Sequence, residues 1–412
     1  MTPGGTLAAE VVTRDGVVSE ARIVSTRRVP LAAALRGKSV REAVALVPLL
    51  FATCGIAHGV AASAAVESAS GAGDLVREGG PRARARTRAR ALLVASEVVD
   101  GHVWSILVDW ARVLGGSPAA AELRAHRAAT ERLRAAIDPA RASLGLGAWN
   151  VHASRGGLAS ALADVDSLVS QLASDLPDDV SGLAAWAHRS RSPAAPLVKH
   201  LLDAPAASIG ASDVAPLPEL SAAWFRAQLS ADAMFGERPT LDGAPREAGP
   251  LARAAVAPLV ASVVAQHGRG ALARIAARLV ELAAAPGRLR ALARDADAGD
   301  ADAGDADAGD ADAGEAGAAA ELSSTGGCGV ADTARGRLAH WALVEKGVVV
   351  DWRFVAPTEW TFHPGGAFSR GLIGARSADV ARTIRLHVAA LDPCIPCDVT
   401  VRDAADARPA HP

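Results

Sequence analysis

Tyrosine is absent from this 412-residue chain, and aromatic residues make up 3% of it although half of all residues are apolar. A core therefore has to be built from Ala, Leu and Val, and abundant alanine favours helices by intrinsic propensity. Lysine occurs only at Lys38, Lys199 and Lys346, so nearly all the positive charge is arginine. The net charge of −2 gives no concentrated basic surface, which argues against nucleic-acid binding. Cysteine is scarce too. Cys54, Cys328, Cys394 and Cys397 are too few in so long a chain for a disulfide framework, and cysteines kept as thiols imply a reducing, cytoplasmic location. Met1 to Val12 lacks a basic-then-apolar signal pattern and carries Glu10. Ala43 to Val66 has no formal charge and is long enough to span a bilayer. It contains Pro48, Cys54, two glycines and His58, which suit a buried loop and helix, so no membrane span is expected.

What is present is punctuated by turn signals. Val11 and Val12 lead into Arg14-Asp15-Gly16 and a second run to Val24, so residues 7–27 read as a β-hairpin. Gly336–Leu343 and Gly347–Val355 alternate around Glu345-Lys346-Gly347 as a second hairpin. Helices are expected from about Val40, over Gly55–Ser68, and at 91–114, 119–137, 157–174 and 251–284; residues 189–218, rich in Pro, Ser and Ala, read as loop. Arginines at 82, 84, 86, 88 and 90 read first as a solvated helix entry and second as a docking patch for an acidic partner. Residues 295–314 are four copies of Asp-Ala-Asp-Ala-Gly, and without their eight aspartates the chain would carry +6. Such a repeat buries too little apolar surface to offset ordering entropy, so it is expected to be a disordered insertion. It also lacks the ligand spacing of an EF-hand calcium loop.

Cys394-Ile395-Pro396-Cys397 near one end, and Cys54 followed at the fourth position by His58 near the other, carry the chemistry. Thiolates are soft ligands that suit iron and other transition metals. The chain resembles the large subunit of nickel–iron hydrogenases, in which a C-x-x-C-x-x-x-H segment near one end and D-P-C-x-x-C-x-x-H near the other hold the metals. Asp392-Pro393-Cys394-Ile395-Pro396-Cys397 fits the second motif, and Cys54–His58, continuing to Ala65-Val66-Glu67, fits half of the first. Arg238-Pro239 with Gly249–Arg253, Thr333-Ala334-Arg335-Gly336 and Ala356-Pro357-Thr358-Glu359-Trp360 resemble further family segments.

The departures are as informative. The first cysteine of the first pair falls on Phe51, and the last histidine on Thr400. A second register, with Cys54 on the first cysteine, needs a gap before Ala65 and puts Ala57 on the lost position. By resemblance, Cys54 and Cys397 hold the positions that touch iron and Cys394 a nickel-only position. Such a reduced set is similar to the HupK/HoxV-type hydrogenase accessory proteins.

The resemblance implies a single α+β domain over 1–294 and 315–412, mainly helical and large-subunit-like, with peripheral β-hairpins. It implies a non-enzymatic maturation factor, a scaffold for an iron unit bearing cyanide and carbonyl. Cys54 and Cys397, with Cys394, would bind that unit, and nickel is not expected. Arg335, Pro357 and Thr358 would hold its diatomic ligands, and His58 would act as a hydrogen-bond partner of the site. Partners would be a hydrogenase large-subunit precursor and the proteins that assemble or deliver the iron unit. Cys328 matches no ligand position. Without the final histidine, the family's C-terminal cleavage signal is in doubt, and the chain is expected to stay uncut. Two alternatives stand beside this reading: a catalytic large subunit with an altered site, and a metal-free chaperone-like partner.

Overall fold

A computed structural model describes residues 5–25, 30–51, 53–69, 81–139, 144–146, 155–203, 206–300, 326–377 and 379–404. It begins with the expected hairpin, β1 (Leu7–Arg14) and β2 (Val17–Ser25). Asp15 (φ 52°) and Gly16 (φ 70°) both take the left-handed conformation of a hairpin turn matched to strand twist. Leu7, Ala9 and Val11 alternate inward. Helices α1 (Pro30–Leu35), α2 (Val40–Leu50) and α3 (Gly55–Ala69) follow. Ser39 and Glu42 form a capping box that starts α2.

Helix α4 (Pro81–Trp104) continues through a π-helical turn at Ser105–Asp109 into Trp110–Val113. Segment Arg84–Val113 is long and apolar enough to cross a membrane by composition, but 67% of its apolar window is buried within the chain, the placement of a core helix. α5 (Ala120–Ile137) packs on it, and α6 (Arg155–Ala173), α7 (Val180–Arg189) and α8 (Ala195–Asp203) share its buried cluster, whereas α9 (Ala222–Ala231) buries Phe225 and Leu229 in a separate cluster with Trp341 and Trp360. The stretch read as loop at 189–218 thus contains a helix, whose Leu197, Val198 and Leu201 are buried. The single helix expected at 251–284 is three: α10 (Pro250–Arg253), α11 (Pro258–His267) and α12 (Ala271–Asp300). The breaks have local causes. Pro258 starts a new helix at its first turn, and Gly268 at φ 70° ends it. The acidic repeat begins within the last turns of α12, and its remainder lies outside the described residues.

The arginine run resolves in a third way. Arg90 forms a two-pronged ion pair with the buried carboxylate of Glu67 (3.0 Å for both bonds), and Arg86 approaches it to 3.4 Å. Two of the five arginines therefore pin α4 to α3 instead of lying in solvent.

Strands β3 (Gly327–Thr333), β4 (Gly336–Glu345) and β5 (Val348–Val355) form an antiparallel sheet in that order. The β4–β5 turn repeats the first, with Lys346 (φ 49°) and Gly347 (φ 75°) left-handed. β3 was not foreseen, and its glycines explain both the strand and its neighbour. A Cβ at Gly327 would lie 2.1 Å from Ala65 O, and one at Gly329 would lie 2.2 Å from Ala61 O. The small residues of α3 and β3 let helix and sheet backbones nearly touch, and β4 is consequently buried along most of its length. The chain ends with α13 (Pro357–Thr361), α14 (Ala367–Leu372), α15 (Val380–Leu391) and β6 (Cys397–Asp403). β6 pairs parallel with β1, Leu7 opposite Cys397, which brings the two ends of the described chain together.

Candidate functional site

Cys54 is the last residue before α3 and is 4% exposed. The helix start is capped from outside: the Glu97 carboxylate, on α4, accepts the N–H groups of Ile56 and Ala57, both at 2.8 Å. A carboxylate suits the positive end of a helix, but burial pushes the Glu97 acid up to about 7. Nothing in its position within a long helix marked it out in the sequence.

Cys394 arrives from the opposite end of the chain. α15 ends at Asp392, whose left-handed backbone (φ 55°) donates its N–H to Val388 O at 2.8 Å. Pro393, lacking an N–H, cannot continue the helix, and the chain turns so that the Cys394 thiol meets Cys54. The hydrogen bond between these two thiols, then burial, then nearby Cys394 and Glu97 together raise the Cys54 thiol well above its ordinary value, with Arg335 opposing.

The segment is gripped from the open end of the second hairpin. Arg335, in the β3–β4 turn, donates from Nε to Asp392 O (3.0 Å) and from Nη2 to Asp392 Oδ1 (2.9 Å). Pro357 opens α13, and Thr358 follows it. The Thr358 hydroxyl lies 3.0 Å from Cys394 Sγ and accepts the Cys394 N–H at 3.2 Å. Thr53 donates to Cys394 O at 3.1 Å. Arg335 and Thr358 therefore converge on residues 392–394, with Pro357 buried at the start of α13 and beside Gly336, while the Arg335 guanidinium is held by Asp392.

Asp392, quoted in the motif but given no role by it, is the electrostatic hub. Arg278 reaches its Oδ2 at 2.9 Å and Ser105 donates to it at 3.2 Å. Although burial opposes ionisation, Arg335 and Arg278 hold the carboxyl below its ordinary range. The chain of charge runs on. Arg278 lies 3.2 Å from His102 Nδ1, His102 Nε2 lies 3.2 Å from Glu281, and Glu281 takes both Nε and Nη2 of Arg253 at 2.6 and 2.8 Å. Ser105 belongs to the π-helical turn, a local irregularity frequent at functional sites.

His58 lies one turn beyond Cys54, fully buried. Its Nδ1 is 2.7 Å from His340 Nε2. Trp352 Nε1 donates to His340 Nδ1 at 2.9 Å, so His340 carries its proton on Nε2 and donates to His58. Phe51, at the lost cysteine position, stacks on His58 with ring centres 3.5 Å apart and planes within 7°. The hydrogen-bonding role expected of His58 is thus directed at His340, among aromatic rings.

Cys397 begins β6, half-buried, and its thiol is pushed up to about 12 by burial and by Asp398. Among the described residues no group of three or more His, Cys, Asp and Glu side chains is close enough to hold a metal ion. The structure brings together Cys54 and Cys394, and Cys397 does not complete a three-thiol cluster with them. Cys328 sits on β3 beside Trp341, pushed up to about 12 by burial, and stays out of the site.

Residues 234–400 match the nickel-dependent hydrogenase family. The chain is 29% identical over 404 residues to the hydrogenase expression/formation protein HupK of Azotobacter vinelandii, covering 96% of this chain and 98% of that protein. It is 30% identical over 383 residues to the hydrogenase expression/formation protein HoxV of Cupriavidus necator, covering 89% of this chain and 88% of HoxV. Among solved structures it is similar to the Ni-Fe-Se hydrogenase of D. vulgaris Hildenborough, with a TM-score of 0.61 at 16% identity over 93% of this chain and 95% of that one. The NAD+-reducing [NiFe]-hydrogenase gives 0.59 at 17% identity, covering 92% of this chain and 93% of its own. These likenesses establish a mainly helical α+β fold of the hydrogenase large-subunit type. The chain belongs to the HupK/HoxV family of hydrogenase expression/formation proteins.

Proposed function

We propose that this protein is a non-enzymatic carrier in hydrogenase formation, holding an iron unit that bears cyanide and carbonyl before it passes to a large-subunit precursor. The observation that carries the reading is the meeting of Cys54 and Cys394 from opposite ends of the chain, clamped by Thr358 and by Arg335 through Asp392. Two soft thiolates suit an iron centre whose other positions are taken by diatomic ligands. Thiolate exchange then provides a route of release, because the receiving protein offers ligands of the same kind. Cys397, at the start of β6, would join when the cargo is bound or leaves. Phe51 supports a site without nickel, since its ring fills the lost cysteine position and is stacked on His58.

In this reading the residues around the thiols act on the cargo by position. Thr358 can donate a hydrogen bond to a Cys394 thiolate, and the cationic Arg335 favours thiolate at both cysteines. Asp392 anchors that arginine so that it needs no rearrangement on loading.

A metal-free chaperone-like role is the second reading, favoured by the absence of a three-ligand cluster among the described residues. Complementation separates the two. In a cell whose hydrogenase requires this chain, Cys54→Ser and Cys394→Ser are expected to abolish hydrogenase activity while Cys328→Ser retains it. Full activity with both site variants would discard the carrier reading in favour of the metal-free one.

A further inference from the structure

Next to the thiol pair opens a cleft of about 560 Å³. Cys394 and Cys397 line it and Cys54 does not, so the cleft reaches Cys394 from solvent while Cys54 lies behind. Its charged wall consists of Arg112, Arg335, Arg385, Asp109 and Asp392. Asp392 is engaged by Arg335 and Arg278, and Asp109, partly buried near Asp392, is pushed up to about 6 but remains mostly ionised at neutral pH, so the three arginines of the wall exceed its two carboxylates by one charge. Arg112, just beyond the π-helical turn, and Arg385, on α15, are exposed. Among the described residues neither lies within 4 Å of a carboxylate, unlike Arg278, Arg335 and Arg253 deeper in. Neither arginine is tied into an ion pair among the described residues, and both line the cleft that reaches Cys394 and Cys397.

A concave site with an excess of one sign of charge concentrates counter-ions. We propose that the cleft is an anion port, in which Arg112 and Arg385 draw in a compact metal–cyanide anion and lead it past Cys397 to Cys394. The identity of the natural anion rests on the carrier reading; the preference for a small polyanion rests on the cleft's own charge. The volume falls within the range of small-molecule sites, and guanidinium groups match the terminal nitrogens of cyanide ligands as hydrogen-bond donors.

Ferrocyanide is the probe, because its six cyanides leave no position for a thiolate and it reports on the cleft alone. The full-length protein should bind it one to one by calorimetry at low salt, and more weakly at 0.3 M salt, where the Debye length falls to roughly 6 Å. Arg112→Gln with Arg385→Gln should raise Kd at least tenfold with no change in melting temperature, each single variant giving part of the effect. Arg132→Gln with Arg290→Gln, the same charge change at exposed ion pairs elsewhere, should leave Kd unaltered. Ferrocyanide needs no cysteine ligand, so failure of the carrier reading would not remove this binding. Equal affinity in the Arg112/Arg385 double variant, an equal loss in the Arg132/Arg290 control, or no saturable binding at all would overturn the proposal.

Discussion

Replacing Asp392 by asparagine keeps the side chain's shape and removes the charge that two buried guanidinium groups share. Arg335 and Arg278 are 7% and 1% exposed, and each has an Nη–carboxylate contact of 2.9 Å to Asp392. Taking away one partner of a buried ion pair costs about 3–5 kcal/mol, mostly because the remaining charge stays desolvated. Here two charges lose one partner, so the upper half of that range is expected. With an unfolding entropy of roughly 2 cal/mol/K per residue, a chain of 412 residues loses roughly 4–6 °C of Tm for ~4–5 kcal/mol. Calorimetry gives the Tm, and the rate at which Cys394 reacts with a thiol reagent reports on the loop. Asp392→Asn should lower the first and raise the second, since Arg335 keeps its bond to the backbone carbonyl of residue 392 but loses the ion pair with its side chain. Adding Arg278→Met should restore part of the Tm, because the second substitution removes one of the stranded charges. A Tm within 1 °C of the unaltered protein, with no rescue and no change in Cys394 reactivity, would refute the placing of Asp392 as hub.

Two further predictions rest on other parts of the molecule. Gly329→Ala would place a methyl 2.2 Å from Ala61 O; overpacking costs about 1–3 kcal/mol or more, so its unfolding midpoint in urea should fall clearly, whereas Gly287→Ala, with nothing nearby, should not lower it. Acid stability follows from His102 and His387, which burial lowers to about 4 and about 3. Both stay neutral in the fold while the unfolded chain takes up protons below about 6.5, so stability is full above that pH and falls as pH drops toward 4. His387→Gln should flatten the fall in Tm between pH 6.5 and 4, and an unchanged slope would contradict the assignment.

Much of this was legible in the sequence where one local rule sufficed. Asp15-Gly16 and Lys346-Gly347 announced two hairpin turns, and the structure has left-handed backbone at all four residues. The small residues of Gly55–Ala69 signalled a closely packed helix, but not which partner it packs against. β3 escaped because Gly-Cys-Gly has little strand propensity; its glycines are explained only once α3 lies on top of it. β6 could have been found, since Val399, Thr400 and Val401 alternate in a strand-like way, but its pairing with β1 spans nearly the whole chain. At the site, the cysteine spacing and the Arg335 and Thr358 loops pointed to one place. Asp392, Arg278 and Glu97 did not, because a buried charge reveals itself only through partners that the fold brings from elsewhere.

Infrared spectroscopy of the protein purified without oxygen from a hydrogenase-producing cell, with iron and nickel measured on the same sample, tests the central claim most directly. The account predicts cyanide and carbonyl bands with iron and no nickel, all lost in Cys54→Ser. A protein free of iron and of such bands would contradict it, as would one carrying stoichiometric nickel.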